Sequence, residues 1–188
     1  MEPSDQDVVH QTLKDRHMFR ILVQRYQDAL LRYIRRIGCI DPEAAKDILQ
    51  ESFIKAYSNL NDYDSAFSFS TWIYRIVHNE TMSHFRKQKN RPQIVADESS
   101  LYLFEAIPDE LDIAGEADMK LRGQAVSQAL AKLKPQYKEA LVLRFFENKS
   151  YDEIANILRI PNGTVATYIA RGKAELGTLL KEHKPTDV

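Results

Sequence analysis

The chain of 188 residues contains a single cysteine, Cys39, and this scarcity excludes several kinds of site. One sulfur cannot form an intramolecular disulfide, and it cannot supply the set of thiolates that a structural zinc site needs. Cys39 stands beside Ile37 and Ile40, a setting that predicts a buried free thiol. The five histidines show no spacing typical of metal ligands, so we expect no bound metal.

The sequence also lacks the motifs of common enzymes and the long apolar runs of membrane proteins. It has no glycine-rich phosphate loop and no nucleophile motif, so we expect no catalysis, no cofactor and no small-molecule substrate. No apolar run is long enough to cross a bilayer. The first five residues are acidic and polar, unlike a signal peptide. We therefore expect a cytoplasmic protein without membrane insertion.

Apolar residues at helical spacing occupy most of the chain. Between residues 19 and 37 they recur three and four positions apart, which predicts a helix that stops near Gly38. Asp41 before Pro42 is typical of a helix start. No alternating run of strand length is present, so the sequence predicts an all-α fold. The other predicted helices cover about 42–60, 72–89 (capped by Ser70 and Thr71), 124–133, 136–147, 150–158 and 163–180.

Charge is distributed unevenly along the chain, although the net charge is only −1. Residues 75–91 carry five basic side chains and one acid, whereas residues 93–124 carry eight acids and two basic side chains. Helical periodicity lapses in the acidic stretch, which follows Pro92 and contains Pro108. We therefore expect two small helical domains, residues 1–92 and 124–183, joined by an acidic flexible linker at residues 93–123.

Residues 150–176 have the pattern of a helix-turn-helix. Ser150 and Glu153 form a capping box that starts the first helix, and residues 159–163 form the turn. The outer face of the second helix predicts contacts with bases and phosphates in a major groove. An ordinary pair of helices with a solvated polar face has the same pattern, so the motif leaves both interpretations open. The candidate DNA-binding residues are Thr164, Thr167, Arg171 and Lys173.

Two features of the first half are candidate interaction sites. The helix over residues 42–60 has a second face with acids around one isoleucine, which is either solvated or docks a protein partner: Asp47, Gln50, Glu51 and Ile54. Aromatic and basic residues crowd together around the start of the next helix, as in proteins that bind single-stranded nucleic acid. Some of these rings, Tyr74 in particular, are expected in the core. The candidates are Phe67, Phe69, Trp72, Arg75, Asn79 and Arg86.

Three stretches, in this order, resemble one family over nearly the whole chain. Residues 47–57 resemble region 2.2 of the small extracytoplasmic-function (ECF, group 4) sigma factors of the sigma-70 family. Residues 69–79 are similar to their regions 2.3 and 2.4, and residues 143–176 are similar to their region 4. The resemblance implies a factor that directs bacterial RNA polymerase to specific promoters for transcription initiation.

The resemblance also implies partners and residue roles. Asp47, Gln50, Glu51 and Ile54 match the face that docks on core RNA polymerase, at the clamp region of its beta-prime subunit. The loop of residues 62–69 matches the segment that captures a flipped base. Asn79 and Arg86 match positions that hold the single-stranded −10 element, and Arg171 and Lys173 match basic positions on the duplex −35 element. An anti-sigma factor is a further implied partner.

The chain departs from the family pattern in the second helix of the helix-turn-helix. Ala166 stands where the family usually has a basic residue, Tyr168 where it often has arginine, and Ala170 where it has a polar residue. Fewer phosphate contacts predict weakened or altered −35 recognition. Two alternatives remain: a stand-alone helix-turn-helix regulator, which leaves the first ninety residues unexplained, and a degenerate paralogue that binds polymerase without initiating transcription.

Overall fold

The computed structural model describes residues 3–38, 41–87 and 119–182, with side chains in the last range from residue 125 to residue 181. All regular structure within these residues is helical, and they contain no strand, which confirms the all-α prediction. The predicted burial of Cys39 lies outside the described residues, as does most of the predicted linker.

The chain divides into two compact units, one built mainly from the first half of the sequence and one mainly from the second. No helix of the described residues is long and apolar enough to cross a membrane. The N-terminal unit contains α1 (Asp5–Thr12), α2 (Phe19–Gly38), α3 (Pro42–Ser58) and α4 (Phe69–Lys87), with 3-10 turns at Arg16–Met18 and Leu60–Asp62. Its largest fully buried side chains are Leu22, Leu30, Tyr33, Ile34, Phe69 and Ile73.

The helix starts in the N-terminal unit follow from capping side chains. The Asp41 carboxylate accepts hydrogen bonds from the backbone N–H groups of Glu43 and Ala44 at 3.0 Å, which confirms the predicted start of α3. The predicted start of α4 was wrong by three residues, since the helix begins at Phe69 and not at Trp72. Ser68 caps this helix, since its hydroxyl accepts from the Thr71 N–H at 3.1 Å. Helix α1 was not predicted from the sequence.

The C-terminal unit also consists of helices around an aliphatic core. Its elements are α5 (Met119–Lys132), α6 (Pro135–Leu141), a π-helical turn (Val142–Phe146), α7 (Tyr151–Leu158) and α8 (Asn162–Glu182). The π turn replaces the end of the helix that the sequence predicts over residues 136–147. The largest fully buried side chains of the C-terminal unit are Leu141, Leu143, Ile154, Ile157 and Leu176.

The turn between α7 and α8 is built on Arg159. Its φ of 55° is left-handed, a conformation that favours glycine. The Ile160 N–H donates to the Ala155 carbonyl at 3.1 Å, so the end of α7 is a Schellman motif with arginine at the usual glycine position. Gly163, which the sequence places in the turn, lies inside the first turn of α8.

Gly172 allows α8 to approach α6 closely. A Cβ atom at this position would stand 3.0 Å from Leu141 Cδ1 and 3.2 Å from Tyr137 Cβ. At Gly177, five residues further along the same helix, nothing lies within 4 Å of a Cβ atom. The absence of a side chain at Gly172 therefore sets the distance between α6 and α8. Because α8 is the second helix of the helix-turn-helix, this distance fixes the position of the motif.

Candidate functional site

Helix α3 presents the four predicted polymerase-binding residues on one exposed surface. Asp47, Gln50, Glu51 and Ile54 are all exposed, and their spacing of three and four residues places them on one face. Ile54 keeps 52% of its surface exposed, which is high for a large apolar side chain. Glu51 lies 3.8 Å from Lys55, whose ammonium group also pairs with Glu80 of α4 at 2.6 Å. We call the surface formed by Asp47, Gln50, Glu51 and Ile54 the acidic face.

An apolar groove of about 480 Å³ runs beside the acidic face, between α2 and α3. Gln50 and Ile54 line it together with residues that the sequence analysis did not assign to a site. A tyrosine at position 57, three residues after Ile54 on the same helix, is the sequence signal that could have indicated it, and its ring is 43% exposed. Among the described residues no carboxylate lines the groove, and it meets the acidic face at Gln50 and Ile54. The remaining lining residues are Phe19, Val23, Gln27, Lys46, Leu49, Phe53 and Tyr57.

Two of the three aromatic residues predicted to stack on DNA bases are buried. Phe69 is 1% exposed and Trp72 is 6% exposed. Their ring centroids lie 5.6 Å apart, and the ring of Tyr63 packs on both, at 5.8 Å from Phe69 and 5.5 Å from Trp72. Tyr26 of α2 completes this aromatic cluster, 5.5 Å from Phe69. In this conformation Phe69 and Trp72 support the surface from below and present no face to a base.

The loop before α4 rests on the aromatic cluster and carries the third ring outward. The Tyr63 hydroxyl donates to the Phe67 carbonyl at 2.7 Å, and the Asp64 carboxylate accepts from the Ala66 N–H at 2.9 Å. Burial raises the pKa of Tyr63, so its hydroxyl keeps the proton that it donates. The ring of Phe67 is 45% exposed at the surface of this closed loop.

Helix α4 continues the same surface with polar side chains. Asn79 and Arg86 are exposed, and Arg75 is half-buried. The three positions are four and seven residues apart and therefore share one side of the helix. The structure thus places an amide and guanidinium groups along one side of α4, a helix that begins two residues after the exposed ring of Phe67. This combination suits an unpaired nucleic-acid strand, because a ring stacks on bases and cations follow phosphates.

Three of the four predicted −35 residues share a face of α8. Thr167 and Arg171 are exposed and Thr164 is half-buried, at spacings of three and four residues. The Thr167 hydroxyl donates to the Gly163 carbonyl at 2.8 Å, so in this rotamer it offers a partner only an acceptor. Ala166 and Ala170 are exposed beside them.

The geometry separates Lys173 from that face. Lys173 lies about two and a half turns from Thr164 and therefore on the opposite side of α8. Its ammonium nitrogen stands 4.8 Å from the centroid of the Phe145 ring. Tyr168 is likewise a packing residue, with its ring 5.6 Å from that of Tyr137 in an edge-on arrangement. The predicted DNA contact of Lys173 has no support from its position.

A buried lysine stands at the entrance to α7. The Ser150 N–H donates to the Glu153 carboxylate at 2.9 Å, and the Glu153 N–H donates back to the Ser150 hydroxyl at 3.2 Å, which confirms the capping box. Lys149 is 6% exposed, 3.8 Å from Glu153. Burial lowers the pKa of Lys149, and the charges of Glu153 and Glu147 oppose that effect.

Among the described residues, no three His, Cys, Asp or Glu side chains are grouped in a way that could hold a metal ion.

Two family models match the chain, one in each half of the sequence. The family model of Sigma-70 region 2 matches residues 22–91, and that of Sigma-70, region 4 matches residues 123–176. The chain is 34% identical to the ECF RNA polymerase sigma factor SigW of Bacillus subtilis over 173 residues, 89% of this chain and 91% of that protein. It is 32% identical to the RNA polymerase sigma-H factor of Pseudomonas aeruginosa, over 96% of this chain and 95% of that protein.

Solved structures show the same fold. CnrH, determined in complex with the cytosolic domain of CnrY, matches with a TM-score of 0.72 at 24% identity, over 97% of this chain and all of that one. The sigma factor RpoE of Bartonella quintana, determined with the anti-sigma factor NepR, matches with a TM-score of 0.65 at 21% identity, over 88% and 98%. With both regions matched and relatives above 30% identity over most of its length, the chain belongs to the extracytoplasmic-function sigma factors of the sigma-70 family.

Proposed function

We propose that this sigma factor divides promoter recognition between its two units, with residues 1–92 serving polymerase and the −10 element and residues 124–183 serving the −35 element. The observation that carries the proposal is the pairing of two unlike surfaces in one chain. The acidic face of α3 suits a protein partner, and the outer face of α8 suits duplex DNA. The residues between the two units act as the linker.

The acidic face docks on the clamp region of the beta-prime subunit. Its carboxylates attract basic side chains over a distance, and Ile54 supplies an apolar contact at the centre of the interface. The groove beside it gives an apolar side chain of the partner a place to insert.

The loop of residues 62–69 and the exposed side of α4 hold the melted −10 strand. Extraction of a base from the stack costs a few kcal/mol, so the loop must return that free energy through stacking and hydrogen bonds. Phe67 supplies the exposed ring, while Asn79 and Arg86 contact the strand further along α4. Phe69 and Trp72 keep the loop in shape.

Helix α8 enters the major groove of the −35 element through Thr164, Thr167 and Arg171. With alanines at positions 166 and 170 and Lys173 turned away, this face offers few contacts to phosphates. Recognition of the −35 element is therefore weak, and the −10 element carries more of the specificity.

An anti-sigma factor controls the protein. The support is the fold shared with sigma factors whose structures were determined with bound regulators, among them RpoE with the anti-sigma factor NepR. A regulator that covers the acidic face would compete with polymerase for the same carboxylates.

The test is reconstitution of the protein with bacterial core polymerase, followed by genome-wide mapping of transcription starts. Initiation at a defined set of promoters is expected, and base substitutions in the −10 element should reduce it more than those in the −35 element. DNA binding without polymerase would instead support a stand-alone regulator. Polymerase binding without initiation would support a degenerate paralogue.

A double substitution tests the docking face. Asp47→Ala with Glu51→Ala should weaken the affinity for core polymerase about tenfold or more, because two attractive charges are lost from the centre of the interface. Asp28→Ala on α2, which removes one exposed carboxylate outside the acidic face, is the control and should leave the affinity unchanged. Binding of the double variant at wild-type strength, measured by fluorescence anisotropy, would exclude this face.

A further inference from the structure

Helix α1 lies outside the residues that the region 2 model matches, yet it reaches the loop before α4. The match begins at residue 22, whereas α1 spans Asp5–Thr12. The helix is firmly placed, since Val8 and Val9 are buried at 0% and 6% exposure and its start is closed by a capping box between Ser4 and Asp7. A helix fixed in this way can position whatever its other side chains touch.

The first route from α1 leads to the tip of the loop. The side-chain amide of Gln6 donates to the Ser65 carbonyl at 3.3 Å, a contact between residues 59 positions apart. Ser65 lies among three internal bonds of the loop: from the Tyr63 hydroxyl to the Phe67 carbonyl, from the Ala66 N–H to the Asp64 carboxylate, and from the Phe67 N–H to the Asp64 carbonyl. These internal bonds give the loop its shape. The bond from the Gln6 amide connects the tip of the loop to α1, a helix outside the loop.

The second route leads to the base of the loop. The Asp5 carboxylate accepts hydrogen bonds from Tyr26 and from Arg25, the latter at 2.7 Å, and so fixes the Tyr26 ring. That ring packs on Phe69, the first residue of α4, at 5.5 Å. Phe69 in turn packs on Tyr63, where the loop starts. Two consecutive residues of α1 thus reach the loop at both its tip and its base.

We propose that α1 is a positioning element for the loop of residues 62–69, with Gln6 as the positioning residue that holds the loop in its base-capturing shape. The inference deepens the proposed function and rests on the assignment of this loop to the −10 strand. Gln6 acts through the Ser65 carbonyl and need not touch DNA. Loss of its bond leaves the loop folded and widens its range of conformations, because an exposed backbone segment regains freedom.

The effect should appear in base discrimination and leave polymerase affinity unchanged. A captured base is recognised by groups that a rigid loop holds in place, so a looser loop binds the correct and incorrect bases more equally. One weak hydrogen bond corresponds to a factor of about three to ten in a binding ratio. We expect the preference for the cognate −10 strand to fall by that factor in Gln6→Ala.

The chain offers a matched control in the same helix. Gln11 is an exposed glutamine near the other end of α1, so Gln11→Ala makes the same substitution away from the loop. Gln6→Glu keeps the size of the side chain and removes both N–H donors, and it should behave like Gln6→Ala. Thermal unfolding of all three variants should match that of the wild type, since Gln6 and Gln11 are exposed.

Two measurements on these variants decide the inference. The first is the backbone order parameter of residues 64–67 in the free protein by NMR, which should fall in both Gln6 variants and stay unchanged in Gln11→Ala. The second uses holoenzyme and a single-stranded oligonucleotide carrying the −10 element of a mapped promoter, compared with the same strand substituted at the flipped base.

The outcomes separate the inference from the proposed function. Wild-type discrimination that is reduced in both Gln6 variants supports the inference. Wild-type discrimination that both Gln6 variants retain in full overturns the inference and leaves the proposed function intact. A wild-type holoenzyme that does not discriminate overturns the proposed function and the inference with it.

Discussion

The two units of this sigma factor build their binding surfaces on different supports. The N-terminal unit carries a loop on a cluster of rings, and six aromatic side chains among its described residues are buried. In the described part of the C-terminal unit only Tyr137 is a buried aromatic residue, and the surface is one regular helix, α8, held by aliphatic side chains. A helix satisfies its own backbone hydrogen bonds, whereas a loop needs outside partners to keep one shape.

The difference shows why aromatic residues in a nucleic-acid-binding protein have to be sorted before they are assigned to a ligand. Large rings give much buried area at little conformational cost, so they are effective supports for irregular backbone. In this chain the support lies directly beneath the binding surface, and neighbours in sequence belong to different classes. Phe69 supports the loop, and Phe67, two residues before it, faces solvent.

Removal of the ring that the loop rests on should have the largest effect on stability. Phe69→Ala should destabilise the N-terminal unit by about 3–5 kcal/mol, because it leaves a cavity among Tyr26, Tyr63 and Trp72. Trp72 is the only tryptophan of the chain, so urea unfolding followed by its fluorescence reports on this unit.

Phe67→Ala is the matched control for Phe69→Ala, and it should affect DNA binding and leave stability nearly unchanged. Its ring is 45% exposed, so stability should change by less than about 0.5 kcal/mol while binding of the −10 strand weakens. The division between supporting and binding rings would be broken if the two variants lost similar amounts of stability.

In the C-terminal unit the corresponding sensitive point is a missing side chain. Gly172→Val should cost about 1–3 kcal/mol, because its Cβ atom would meet Leu141 and Tyr137 where α8 crosses α6. Gly177→Val, in open space on the same helix, should change stability by less than about 0.5 kcal/mol. Thermal unfolding followed by far-ultraviolet circular dichroism measures both. Equal unfolding midpoints for the two variants would show that the close contact between α6 and α8 does not stabilise the unit.

Local chemistry in the sequence predicted the features that depend on neighbouring residues. The cap at Asp41 and the capping box at Ser150 and Glu153 are decided within four residues, so the sequence contains all the information. The spacing of Asp47 to Ile54 similarly placed four side chains on one exposed face of α3. These features need no knowledge of the tertiary fold.

Contacts between distant parts of the chain decided the features that the sequence could not predict. Phe67, Phe69 and Trp72 are all aromatic, so no polar contrast among them indicates which rings face inward. Burial of Phe69 depends on Tyr26 of another helix. The left-handed residue of the turn after α7 is Arg159, although Gly163 is the residue with the lowest cost for that role. In each case tertiary packing outweighs local preference.

Alkaline pH should change the stability of the two units in opposite directions. Burial, with help from Asp5, raises the pKa of Tyr26 above its ordinary 10.0, whereas burial lowers the pKa of Lys149 below 10.5. Above pH 10 the unfolded chain therefore releases the tyrosine proton first, and the N-terminal unit loses stability as pH rises. For Lys149 the unfolded chain holds its proton longer, so the C-terminal unit gains stability as pH rises toward 10.5.

Two variants isolate these contributions. Tyr26→Phe should be less stable than the wild type by about 1 kcal/mol near neutral pH, and that difference should shrink above pH 10. Lys149→Met should fail to follow the gain that the wild type shows as pH approaches 10.5. Urea unfolding at several pH values, read by Trp72 fluorescence for the first variant and circular dichroism for the second, measures both. Both pKa values are shifted mainly by burial, which raises that of Tyr26 and lowers that of Lys149. If the stabilities of the two units changed in the same direction with pH, this explanation would be refuted.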